Sequence, residues 1–144
     1  MQDIVQLSGV DFGHLVAPYL LNYLLYVTSG IMLVTIFAKV YTWFTPYNEL
    51  ALIRAGHGAA ALSFAGTLIG FALTLAACAI YHASFIAFIG WALVAMLLQL
   101  LGYVVMARLI PDLKQQILDN NVAVGGLVGA VALVIGILNA GCLS

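Results

Sequence analysis

A chain of 144 residues that is 65% apolar and only 6% charged cannot be an ordinary water-soluble domain. At this size folding buries no more than about 60–70% of the surface exposed by the unfolded chain. Lipid must therefore be the solvent for most of it, and a net charge of −1 gives a nucleic-acid backbone nothing to hold.

The leader MQDIVQLSGVDFGHL carries Asp3 and Asp11 but no Lys or Arg, so the first apolar stretch, Leu15 to Tyr41, reads as a retained span rather than a cleaved signal. Pro46 is then expected to open a helix, with Thr45 as its N-cap. Glu49 would stand near the positive end of that helix, where a carboxylate gains about 0.3–1 kcal/mol. Three further apolar stretches follow, Gly58 to Ile80, Phe85 to Ala107 and Val122 to Leu143. Each meets the requirement of about 20 residues for crossing a hydrocarbon core. Helices are the expected spanning form, because they satisfy every backbone donor within one segment. The short alternating segments of a membrane β-barrel are missing. The expected class is thus an all-α membrane protein with four transmembrane helices, forming one domain over residues 1–144.

The few charges predict orientation. Lys39, Arg54, Arg108 and Lys114 lie at or near the first and third connections, whereas the leader, the Tyr81–Ser84 turn and the C-terminus have no Lys or Arg. Basic connections stay cytoplasmic, so both termini should face outward. A shift of 64 lays the second half over the first: Ile53 meets Ile117, His57 meets Asn121, Ala76 meets Ala140 and Cys78 meets Cys142. One added residue aligns Pro46 with Pro111. Two parallel two-helix repeats are expected, over about 15–81 and about 83–144, related by an axis along the membrane normal.

The segment NELALIRAGHGAA crowds Glu49, Arg54 and His57 against the second span. From Gly58 onward the helix alone runs about 35 Å at ~1.5 Å per residue, so neither Glu49 nor Arg54 has to enter the hydrocarbon, where each would cost at least ~2.5–3.5 kcal/mol. Together with Asn121 of the second half these residues read as a cytoplasmic collar. A competing reading makes His57 a proton-responsive gate.

At 100° per residue, Glu49, Gly56, Ala60, Ser63, Thr67, Gly70, Thr74 and Cys78 fall on one stripe. The fourth span repeats it with Asn121, Gly125, Ala132, Gly136 and Asn139, with Gly129 at the margin. Gly66 and Gly70, like Gly125 and Gly129, have the spacing that lets two helix backbones approach. The stripe reads either as a packing seam or as a polar path. Asn22 and Gln99 read as packing hydrogen bonders, and Tyr19 and Tyr26 as boundary anchors.

Enzymatic templates find no match. His14, His57 and His82 are scattered over both sides of the membrane, so no metal set is expected, and neither a cofactor motif nor a nucleophile–base motif is present. Cys78 and Cys142 are expected to be free thiols. Two function classes stay open. One is a structural or interaction module, with Leu113 and Ile117 at i,i+4 forming a docking ridge for a second copy or another membrane or cytoplasmic protein. The other is an oligomeric small channel or transporter subunit, its polar stripes facing an axis.

The stretch NELALIRAGHGAAALSFAGTLIGFAL and the ending ILDNNVAVGG…GILNAGCLS resemble the YjfL-like family of small bacterial inner-membrane proteins, a domain of unknown function, over about Leu20 to Ser144. The resemblance implies a multi-pass inner-membrane protein with two copies of a two-helix unit, which makes the outward termini periplasmic. It implies no activity. Its Asn-x-Ala opening of the second helix is matched by Asn121-Val122-Ala123 and replaced in the first unit by His57-Gly58-Ala59.

Overall fold

The computed structural model describes residues 12–81 and 84–143, with side chains from Val16 onward. Asp3, Asp11, His82, Ser144 and the side chain of His14 lie outside the described residues. Among the described residues six helices follow one another: α1 (Phe12–Phe44), α2 (Glu49–Arg54), α3 (Gly58–Tyr81), α4 (Phe85–Leu109), α5 (Leu113–Leu118) and α6 (Val122–Cys142). There is no strand among the described residues. Four of the helices, α1, α3, α4 and α6, are long and apolar enough to cross a membrane.

Ring and backbone contacts give the directions of these four. Phe37 lies against Phe71 at 4.3 Å between centroids and Tyr41 lies beside Phe64, so α1 and α3 run antiparallel. Tyr26 meets Phe88 and Tyr41 meets Tyr103, so α1 and α4 run the same way. Ala59 lies against Gly125, Gly66 against Gly129, and Gly70 against Gly136, so α3 and α6 are also parallel. The result is an up-down-up-down bundle with Phe37, Tyr41, Phe71 and Phe88 at its buried centre.

The short helices depart from the expected pattern. α2 does not start at Pro46. Its N-cap is Asn48, whose Oδ1 accepts from the Ala51 N–H at 3.0 Å, and Asn is the stronger capping residue. Thr45 instead finishes the last turn of α1, its N–H bonding the Tyr41 carbonyl at 2.9 Å. α2 then ends before the span begins. Gly56 has φ +86°, and the N–H groups of Gly56 and His57 return to the carbonyls of Ile53 and Leu52, the two bonds of a Schellman turn. α5 ends in the same way, with Asn120 at φ +57° and the Asn120 and Asn121 N–H groups bonded to Ile117 and Gln116. These turns interrupt the helix, so Glu49 and Gly56 lie outside the unbroken helix that begins at Gly58.

Candidate functional site

Beyond the Schellman turn α3 is regular, and its small residues face α6 at backbone distance. A Cβ built on Gly125 would stand 2.5 Å from the Ala59 Cα, and one on Gly66 would stand 2.5 Å from the Gly129 carbonyl carbon. Gly129 closes on Leu62 and Gly136 on Gly70 in the same manner. Only residues without a side chain permit that approach, and lipid supplies no hydrophobic drive of its own, so contact between the backbones must hold the pair. Ser63, Thr67, Gly70 and Thr74 are buried against this seam, whereas Asn139 is half-buried at its outer end. The two threonine hydroxyls serve the helices themselves. Thr67 donates to the Ser63 carbonyl at 2.9 Å, and Thr74 reaches across to the Gly136 carbonyl at 3.1 Å. From α4, Gln99 is buried and donates through Nε2 to the Ala132 carbonyl at 3.2 Å.

The four collar residues do not form one group. Arg54 is exposed, and His57 is half-buried with its Nδ1 enclosed and unpartnered. Asn121 is exposed and caps α6, its Oδ1 accepting from the Val124 N–H at 3.3 Å while its Nδ2 donates to Gln116 Oε1 at 2.9 Å. Glu49 differs most from a solvated collar residue: it is 1% exposed. The bend at Pro46 and the cap at Asn48 turn the first residue of α2 inward under the end of α1. There the Thr45 hydroxyl contacts Glu49 Oε1. Tyr41, Tyr47 and Tyr103 are also buried in this part of the bundle, with the rings of Tyr41 and Tyr103 edge-on at 5.7 Å. Burial pushes the Glu49 carboxyl above the ordinary carboxylate range, and the bond to Thr45 opposes this only in part. Burial likewise raises the Tyr47 phenol.

Sequence reading missed these tyrosines because tyrosine at the end of a span ordinarily marks the interface. The usable signal was a lone glutamate with Tyr41 and Tyr47 close on its N-terminal side. The docking ridge is also revised. Leu113 is 3% and Ile117 0% exposed, so this i,i+4 face seals the end of the bundle and offers a partner no surface.

The sequence of this bundle matches the family described as Domain of Unknown Function (DUF350) over residues 14–143. The chain belongs to that family. Among curated relatives, the DUF350 chain is 36% identical to the UPF0719 inner membrane protein YjfL of Escherichia coli K12 over 125 residues, covering 87% of this chain and 95% of the relative. The YjfL of E. coli O157:H7 gives the same values. No solved structure matches. With four apolar spans and this kinship, the DUF350 chain is a multi-pass inner-membrane protein in contact with the lipid bilayer.

Among the described residues no group of three or more His, Cys, Asp or Glu gathers to hold a metal ion. Cys78 is buried and Cys142 exposed, both as free thiols. Beside Glu49 the surface opens into a groove of about 440 Å³ lined by Thr42, Thr45, Pro46, Tyr47, Asn48 and Leu50.

Proposed function

We propose that this DUF350 protein is a non-enzymatic structural and interaction module of the bacterial envelope. On this reading it is a single domain of two parallel two-helix repeats, with both termini periplasmic. The observation that carries the proposal is where the small-residue stripe goes. Its glycines are used up in backbone contact between α3 and α6 of one chain, which leaves no ion-wide path along that face and no polar stripe to line an oligomer axis.

Local geometry supports the repeat. Glu49–Arg54 and Leu113–Leu118 are helices of six residues each, and both end in a Schellman turn, at Gly56 and at Asn120. The first residues of α3 and α6 follow at the same interval. The units also interlock unequally, because the Asn120 Oδ1 accepts from the Ala59 N–H at 3.0 Å and so caps α3, a bond that Gly56 has no side chain to return. Orientation is supported by Lys39, Arg54, Arg108 and Lys114, all exposed and all at the end that carries α2 and α5.

Interaction would fall to the outer faces of the spans. α1 is the least covered of them, with 11% of its most apolar window buried against 50% for α3. Ile31 and Met32 on it are more than half exposed, available to lipid, to a second copy or to another membrane protein. Reconstitution into liposomes tests the reading. Purified protein of known oligomeric mass should pass protons and potassium no faster than empty vesicles, and a protein-dependent flux lost on Thr74→Val would make it a channel subunit instead.

A further inference from the structure

The only glutamate of the chain is buried. Glu49 Oε2 is enclosed and has no hydrogen-bond partner. The titratable groups near enough to this carboxyl to interact with it electrostatically are phenols, Tyr41 of α1, Tyr47 of the linker and Tyr103 of α4. Among the described residues no Lys, Arg or His is bonded to it: Arg54, at the far end of α2, is exposed, and His57 lies beyond the Schellman turn. Desolvating an ion costs more than a single hydrogen bond to it returns. A neutral carboxyl avoids the deficit.

The hydrogen count at Thr45 points the same way. Its Oγ1 faces the carbonyls of Tyr41 at 3.1 Å, Tyr47 at 3.4 Å and Thr42 at 3.5 Å, as well as Glu49 Oε1. A threonine hydroxyl owns one hydrogen. With Glu49 ionised every neighbour is an acceptor, and one donor must serve them all. With a proton on Oε1, Glu49 donates to Thr45, which is then free to donate to the Tyr41 carbonyl, and both contacts are filled.

We propose that Glu49 is a reversible proton-binding site, and that its bound proton latches α2 onto the end of α1 through Thr45. The groove lined by Thr42, Thr45, Pro46, Tyr47, Asn48 and Leu50 borders that contact and is the route of exchange. On release the Oε1–H bond breaks and the proton passes to water. The carboxylate left behind has only the Thr45 hydroxyl and its own N–H as donors, and no cation bonds it among the described residues. It draws toward the groove, and α2 loosens with it.

Because Glu49 is the only glutamate, protein labelled with ¹³C-glutamate in lipid nanodiscs reports this carboxyl alone. The carboxyl resonance should titrate above the ordinary glutamate range, the direction in which burial displaces it. Above the midpoint, amide exchange over Leu50–Ile53 should exceed that of Glu49→Gln at the same pH by at least about ten-fold, since glutamine donates to Thr45 at every pH. A carboxyl titrating near the ordinary value of about 4.3 would overturn the proposal, as would equal exchange in the two proteins. If Glu49→Gln does not fold, the wild-type titration decides alone.

Discussion

Replacing Gly125 with alanine drives a methyl group into the backbone of the neighbouring helix. The new Cβ would lie 2.5 Å from the Ala59 Cα and closer still to its carbonyl oxygen. Ordinary carbon contacts lie at about 3.5–4.0 Å, so α6 must withdraw by about 1 Å. No flexible side chain is there to yield instead. The withdrawal also opens the contacts of Gly129 with Leu62 and of Gly136 with Gly70 on the same seam. Overpacking costs about 1–3 kcal/mol, and two rigid backbones place this case at the upper end. Alanine's helix propensity returns about 0.8–1.0 kcal/mol, leaving a net loss of about 2 kcal/mol. Gly90→Ala is the control: nothing lies within 4 Å of its Cβ, so only the propensity gain applies. Reversible unfolding in mixed micelles, followed by circular dichroism, should separate the two variants by about 3 kcal/mol. Equal stability would refute the close-contact argument.

Asn120 both adopts φ +57° and caps α3. Asn120→Ala should lose about 1 kcal/mol for the cap and a further 1–2, roughly, for an alanine held left-handed, while Asn120→Gly loses only the cap; equal losses in micelle unfolding would mean that the turn conformation is not what Asn120 contributes. Thr74→Val removes the bond to the Gly136 carbonyl and should cost about 0.6 kcal/mol, the average for such bonds between membrane helices; a loss above about 2 kcal/mol in the same assay would show that the hydroxyl has a larger role. The pH dependence follows from Glu49. Its folded-state pKa is raised by burial, so its contribution is complete below the unfolded value of about 4.3. Stability should then fall as pH climbs from there through the folded value, and Glu49→Gln should flatten that slope in unfolding midpoints measured against pH.

The spans were legible because lipid imposes composition and length together. The starts at Gly58, Phe85 and Val122 agree with the structure, since a Schellman turn, a short connection or an Asn cap punctuates the sequence there. The far ends run on or stop short by a residue or more, where apolar residues grade into the boundary. Periodicity grouped Ser63, Thr67, Gly70 and Thr74, and all four are buried, because α3 is unbroken past Gly58. The same periodicity could not place Glu49, since the turn at Gly56 interrupts the helix before α3 begins. Its burial was out of reach for a second reason: Tyr103, one of the phenols facing it, comes from α4, and no local pattern pairs the two. Leu113 and Ile117 show the general limit. Their spacing identifies a shared face but cannot say whether that face meets a partner or the chain's own core.

The small-residue faces of α3 and α6 close on each other within one protomer. Gly126 and Leu62 flank the seam, with a Cβ on Gly126 falling 3.8 Å from Leu62 Cδ1, and both residues are accessible at its edge. A Leu62→Cys, Gly126→Cys protein with Cys78 and Cys142 replaced by alanine, oxidised in native membranes with copper phenanthroline, tests this directly. An internal disulfide at monomeric mass is the expected product. Disulfide-linked dimers, with no internal bridge formed, would contradict it.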